Sequence, residues 1–256
     1  MVRKKENIVA IIQARNGSTR LNNKIMKNIA PGVKLIDMVV KRAREASYVD
    51  LVVVATTKNS EDDCLVQWCN DNHIEVFRGN EKNVLRRYYG CSTKYNADII
   101  VRITADDPFK DPSVNNEVIK LLIEKRYDYV SNTIIPSFPE GLDVEVFTYT
   151  ALKYAFENAT LDSEKEHVTA YIWKNKDIFK IFNFKNSKDL SHLRWTIDYE
   201  EDLEFVRCVC KKLDIGNLFL MKDVLRVLKE NPEIMKKQKK VIRNEGYIKS
   251  INEDRK

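Results

Sequence analysis

Residues 10–26, AIIQARNGSTRLNNKIM, set an apolar run directly against a glycine, two hydroxyls, two arginines and a lysine. Gly17 lets backbone N–H groups come close to an oxyanion, and Arg15, Arg20 and Lys24 surround that position with charge-assisted donors. Such residues suit the capture of phosphate oxygens, although their spacing is neither GxxxxGK[ST] nor GxGxxG. A solvated basic turn is the plain alternative. Acids stand elsewhere in matching contexts. RITADDP (102–108) puts two carboxylates just after another apolar run, and TID (196–198) adds a third. A hard cation such as Mg²⁺ needs few protein carboxylates, because substrate phosphates and water complete its octahedron, so Asp106 and Asp198 are metal candidates. Helix capping is the competing use of such acids, and Asp111 before Pro112 fits it equally.

Two further groups carry chemistry. FPEGLDVEV (138–146) spaces Asp143 and Glu145 by the strand period of two, which puts both carboxylates on one face. They suit the hydroxyls of a sugar-like acceptor, or they simply keep an edge strand soluble. His167, in EKEHVT (164–169), has neighbours that suggest chemistry, whereas His73 and His192 read as structural. No second histidine lies at metal-ligand spacing, and no nucleophile elbow supports covalent hydrolysis.

The elements that must position these residues follow from hydrophobic period. Short β-branched runs predict strands at 8–13, 51–56, 75–77 and 99–103, and three- and four-residue spacing predicts helices at 35–46, 60–72 and 84–95. This alternation is that of an α/β protein with a doubly wound, mostly parallel sheet. Ligands of such sheets sit outside the carboxyl ends of the strands, where both the 13–24 loop and Asp106 begin. Beyond Pro112 the pattern loosens. Helix 113–125, strand 127–131, a proline-bearing loop, strand 143–147, helices 149–158 and 162–175, strands 178–184 and 193–197, and helices 200–213 and 219–230 are expected. Residues 1–230 read as one domain with an elaboration at about 127–185, and 231–256 as a basic helical tail left in solvent.

Composition narrows the class. The chain has 256 residues, 43% of them hydrophobic and 32% charged, as an ordinary globular protein does. Of its net charge of +6, +4 falls in residues 232–256, so the body is nearly neutral and a nucleic-acid partner is not expected. No apolar stretch approaches the roughly 20 residues of a membrane span, and MVRKKEN lacks the apolar core of a secretory signal, so no membrane partner and a cytoplasmic location are expected. Five cysteines at unpaired spacings read as reduced thiols.

Eight segments in order, IIQARNGSTRLNNKIM, VVVATTKNSEDD, VFRGNEKNVLRRYY, ADIIVRITADDPFKDP, DYVSNT, FPEGLDVEVF, EHVTAYI and RWTIDYEEDLEFV, resemble the cytidylyltransferase family that includes CMP-N-acetylneuraminate and CMP-KDO synthetases, and within it the spore coat polysaccharide biosynthesis protein F branch. The likeness covers residues 7–210. It implies a Rossmann-like fold of the nucleotide-diphospho-sugar transferase type. The implied reaction joins a nucleoside triphosphate, CTP favoured, to a sugar acid or to a sugar or alcohol phosphate with release of pyrophosphate, for surface polysaccharide. The family's QAR-x-GS-x-R-x₃-K loop corresponds to Gln13, Ala14, Arg15, Gly17, Ser18, Arg20 and Lys24. The resemblance further implies nucleotide contacts from Thr56, Arg78 and Thr104, Mg²⁺ on Asp106 and Asp198, acceptor contacts from Asp143, Glu145, His167 and Arg194, and catalysis by Arg15, Lys24 and Asp106. Two departures stand out: Leu21-Asn22-Asn23-Lys24 replaces Leu-Pro-Gly-Lys, implying a less rigid turn, and Ala105-Asp106 replaces Gly-Asp. A glycosyltransferase of similar fold and a non-catalytic nucleotide-binding module are the rival classes. A homodimer is expected, with 134–138 either an arm toward the partner or a packed loop.

Overall fold

A computed structural model of the chain describes residues 5–17, 20–237, 241, 243 and 245–254. Its strands are β1 (Ile8–Gln13), β2 (Asn28–Ala30), β3 (Val33–Lys34), β4 (Leu51–Thr57), β5 (Glu75–Gly79), β6 (Ile99–Thr104), β7 (Tyr129–Ser131), β8 (Glu145–Thr148) and β9 (Ile181–Asn183). Its α-helices are α1 (Leu35–Arg44), α2 (Asp63–Asp71), α3 (Val84–Lys94), α4 (Pro112–Lys125), α5 (Tyr149–Asn158), α6 (Asp162–Glu166), α7 (Ala170–Lys174), α8 (Glu200–Cys210), α9 (Met221–Glu230) and α10 (Glu245–Asp254).

Seven strands form one mixed sheet in the order β5-β4-β1-β6-β8-β7-β9, with β5, β4, β1 and β6 mutually parallel and β8 running against both β6 and β7. Central β1 shows why the run is apolar without alternation. Ile8, Ala10 and Ile12 face one core and Val9 and Ile11 the other, because helices cover both faces. Gln13 lies beside Ala55 of β4 and Thr104 of β6, so the loops after these three strands leave the sheet at one level. That shared exit is what makes a site of three loops far apart in sequence.

The α/β reading is correct, and its differences from the structure have local causes. The expected helix 162–175 is two short helices, broken where Val168 takes φ 54°, left-handed backbone that β-branched residues rarely adopt. The expected strand 193–197 makes a single bridge, Glu140 to Arg194, and is otherwise held by isolated bonds such as Trp195 N–H to the Glu140 carbonyl at 2.7 Å. Strand β8 begins only at Glu145, so Asp143 precedes the ladder. The β2–β3 hairpin carries no strong period and is unannounced by the sequence. In the 134–138 stretch Ile135 is exposed, whereas Phe138 is packed into the core. Asp111 does cap α4, accepting from the Ser113 and Val114 N–H groups. The C-terminal α10, largely exposed, lies against α6, bonded through the Asp254 carboxylate to the Ser163 N–H at 3.1 Å. All five cysteines are free thiols, and no helix among the described residues is long and apolar enough to cross a membrane.

Candidate active site

The chain after β1 turns through Asn16, whose buried N–H donates to Asp62 at 2.7 Å and whose amide donates to the Glu61 carbonyl at 3.0 Å. Gly17 passes so close to this acidic segment that a Cβ there would stand 3.0 Å from the Glu61 carboxylate. Ser18 lies outside the described residues. Asn23 then takes φ 51°, the left-handed conformation that Asn tolerates better than most side chains. The departure from Pro-Gly therefore still leaves a residue able to make the turn.

That turn delivers Lys24 into the sheet end. Its Nζ donates to Asp106 Oδ2 at 2.9 Å, to Asp198 Oδ1 at 3.1 Å and to the Ile197 carbonyl at 2.8 Å. Burial works against the ammonium, but the two carboxylates outweigh it and raise the Lys24 pKa. Burial likewise opposes the Asp106 charge, and Lys24 overcomes it to hold that carboxyl below its ordinary range. Asp106 comes directly from β6. Asp198 arrives from 92 residues later because the Ile197 N–H bonds to the Asp106 carbonyl at 2.9 Å.

Asp198 is then fixed from behind. Fully buried Asp202, at the start of α8, accepts from the Asp198 and Tyr199 N–H groups at 2.9 Å each and from Arg194 Nη1 at 2.5 Å. Arg194 Nη2 in turn reaches Asp198 Oδ2 at 3.0 Å, and its Nε lies 3.5 Å from Glu140. Arg194 is therefore engaged with Asp198, Asp202 and Glu140, and orients the Asp198 carboxylate. Asp202 is the partner that sequence reading overlooked; its i+4 distance from Asp198 at a helix start was the available signal.

Around this floor opens a cleft of about 900 Å³ lined by Gln13, Ala14, Arg15, Arg20, Thr104 and Asp106 among others, within the range of small-ligand sites. Arg20 donates to Asp198 at 2.7 Å and to Glu245 of α10 at 3.1 Å. Arg15 stands half exposed on the rim, 3.3 Å from Glu81. Through Gln13 and Arg15 the cleft continues into a recess of about 330 Å³ with Glu81, Asn83 and buried Arg87. Arg87 binds the Asn80 carbonyl at 2.7 Å and keeps its Nε without a partner, an orphaned donor beside a recess. Neither Asn83 nor Arg87 was expected from sequence.

A third recess of about 410 Å³ shares Thr104 with the main cleft and holds Asp143, Glu145, His167, Thr169, Trp173 and Tyr247. Glu145 is buried; Arg102, Thr169 and Tyr129 (2.7 Å) bind it and hold its carboxyl low against the opposing burial. Asp143, paired with Arg243, is raised by burial more than its cations lower it. Burial lowers the His167 pKa, and its ring meets Ser250 at 3.0 Å. Asp107, beside Asp106, is internal, accepting from Thr104 at 2.6 Å and pairing with Lys110 at 2.9 Å.

Two expected nucleotide contacts are not brought to these three recesses. Thr56 is fully buried at the end of β4 with an unpartnered hydroxyl. Arg78 stitches the loop after β4, donating to the Thr57 and Asn59 carbonyls at 2.8 and 2.7 Å and to Asp63 at 2.6 Å. Parallel pairing aligns β5 with β4, and this keeps Arg78 on that loop.

The sequence profile of the cytidylyltransferase family matches residues 9–250. The chain belongs to the cytidylyltransferase family. It is 36% identical over 231 residues to an uncharacterized protein of Methanocaldococcus jannaschii, covering 89% of this chain and 92% of that one. It is 31% identical over 235 residues to the spore coat polysaccharide biosynthesis protein SpsF of Bacillus subtilis, covering 88% and 95%. A solved cytidylyltransferase from Leptospira borgpetersenii superimposes with a TM-score of 0.84 at 30% identity, over 94% of this chain and all of that one. The family match spans both recesses and most of the cleft and of α10.

Proposed function

We propose that the chain transfers a cytidylyl group from CTP to an oxygen of a sugar acid or a sugar or alcohol phosphate, releasing pyrophosphate, in surface polysaccharide synthesis. The observation that carries this reading is the Asp106–Lys24–Asp198 floor beneath a cleft rimmed by Arg15 and Arg20. The attacking oxygen forms a bond to the α-phosphorus as the bridging oxygen leaves with the β-phosphate, so the protein's work is to position and to neutralise charge. Arg20 and Lys24 are placed to receive the charge gained by pyrophosphate, and Arg15 to hold the outer phosphates after giving up Glu81. The recess with Asn83 and Arg87 is assigned to the nucleoside, and the recess with Asp143, Glu145 and His167 to the acceptor.

The floor fits a divalent cation. Two hard carboxylate oxygens already converge on one positive nitrogen at 2.9 and 3.1 Å, a donor pair that a divalent cation can share with phosphates and water. Mg²⁺ held by Asp106 and Asp198 would polarise the α-phosphate and lower the pKa of an acceptor hydroxyl. A homodimer completes the proposal.

Pyrophosphate release from each of four nucleoside triphosphates, with a panel of sugar acids and sugar phosphates, tests this. CTP with one acceptor class should turn over, and Asp106→Asn should lower kcat about 10²–10³-fold, the usual loss for one transition-state contact. Nucleotide binding without acceptor-dependent pyrophosphate release would assign the chain to a binding module instead.

A further inference from the structure

The end of the chain touches both halves of the site through polar and ring contacts. Glu245 accepts from Arg20 at 3.1 Å, and Arg243 pairs with Asp143 and donates to the Phe138 carbonyl at 3.1 Å. The Tyr247 ring meets His167 and Trp173 edge-on, with centroids 5.0 and 5.4 Å apart. Ser250 donates to Glu166 at 2.7 Å beside the His167 ring, and Asp254 holds the Ser163 N–H. Helix α10 therefore walls the main cleft with Glu245, Ile248 and Lys249 and the acceptor-side recess with Tyr247.

What holds α10 down is small. Ser250 alone is buried among its described residues, and Ile248 is 47% exposed, whereas α8 buries six side chains. An element with so little apolar burial detaches at a low free-energy cost. Its contact with the phosphate side is also a competed one, since Arg20 has two hydrogen-bonding partners here and both are carboxylates. A triphosphate offers the same guanidinium a bidentate and more highly charged acceptor than an exposed glutamate does.

We propose that α10 is a strap across the site, fastened by Glu245 on Arg20, which the nucleotide unfastens by taking Arg20, so that the recess behind Tyr247 opens to the acceptor only after the triphosphate is seated. The inference rests on the nucleotide-binding reading of the cleft. It makes Glu245 a negative determinant of nucleotide affinity and Tyr247 the gate of the acceptor side, and it imposes an order of nucleotide first, acceptor second.

Hydrogen exchange of the amides in 245–254, together with calorimetric titration of CTP in Mg²⁺, tests the strap on the intact chain and on Glu245→Gln. Glu245 is half exposed, so this variant leaves the core intact. CTP should speed exchange in α10 of the unaltered protein, and Glu245→Gln should show fast exchange without nucleotide and bind CTP about two- to five-fold more tightly, the range an exposed ion pair allows. Normal CTP binding with unchanged α10 exchange and equal affinity in both proteins refutes the strap and leaves the functional reading standing. Failure of the unaltered protein to bind CTP refutes the functional reading and the strap together, and weaker CTP binding by Glu245→Gln alone refutes the strap.

Discussion

Lys24→Met nearly keeps the volume of the side chain and removes the cation between Asp106 and Asp198. The three side chains are 11%, 27% and 16% exposed, so the two carboxylates would face each other with little water between them. Deleting one partner of a buried ion pair costs about 3–5 kcal/mol. Arg20 and Arg194 still neutralise Asp198 and Asp106 keeps some solvent, which brings the expected loss to about 2–3 kcal/mol. For a chain of this size that lowers the melting temperature by about 4–12 °C. The sign fixes the pH of the assay. Lys24 depresses the Asp106 pKa, so the stability it confers is fully present above the ordinary carboxyl value of 3.8 and is lost as pH falls through the depressed value. Melting curves belong at pH 7–8. The same substitution creates a vacancy for a divalent cation, and Mg²⁺ at ten times its Kd should return about 1.4 kcal/mol to the variant and less to the unaltered protein, where the ammonium competes. Melting curves with and without Mg²⁺, at matched ionic strength, read both effects. Equal melting temperatures for the two proteins, or equal Mg²⁺ shifts, would refute the idea that the floor is a cation site.

Three further outcomes follow from particular contacts. Gly141 sits at φ 101°, and a Cβ there would stand 2.9 Å from the Trp195 carbonyl carbon, so Gly141→Ala should cost about 2 kcal/mol, lower the melting temperature by about 4–8 °C, and reduce turnover by shifting the segment that carries Asp198; an unchanged melting curve would contradict this. Asn23→Gly should keep turnover, whereas Asn23→Val should lose stability by about 1–2 kcal/mol and displace Lys24, because φ 51° suits glycine and resists a β-branched residue; equal kinetics for the two variants would count against the turn's role. Burial and neighbouring Asp143 push the Glu140 pKa up to about 7 from 4.5, so the fold favours its neutral form, and the stability this gives is full below pH 4.5 and lost as pH rises through 7. Glu140→Gln should therefore gain on the unaltered protein by up to about 3 kcal/mol between pH 5 and 8, and a melting-temperature difference that does not grow with pH would contradict the assignment.

Much of the sheet was legible because its signal is local. The run 8–13 is continuous and apolar since both faces are covered, and its observed limits match the expected ones. The joining of Arg20, Lys24, Asp106 and Asp198 in one cleft was also foreseeable, because the carboxyl ends of adjacent parallel strands collect their loops. Periodicity does not report which distant group a charge meets. Arg194 and Arg78 look available in sequence, yet Asp202 and Asp63 lie within reach only after folding and engage them. Helix α10 escaped for the same reason: its composition is that of a solvated tail, and Glu245, Tyr247 and Ser250 acquire meaning only from Arg20, His167 and Glu166, 80 or more positions away. The break at Val168 is invisible to a helical period that continues through both flanking segments.

The most direct test of the account is a crystal structure of the chain with Mg²⁺ and a non-hydrolysable CTP analogue. The account predicts β- and γ-phosphate oxygens on Arg20 and Lys24, with the metal bound to Asp106 and Asp198. A triphosphate seated elsewhere, with Lys24 still bridging the two aspartates and no metal beside them, would contradict it.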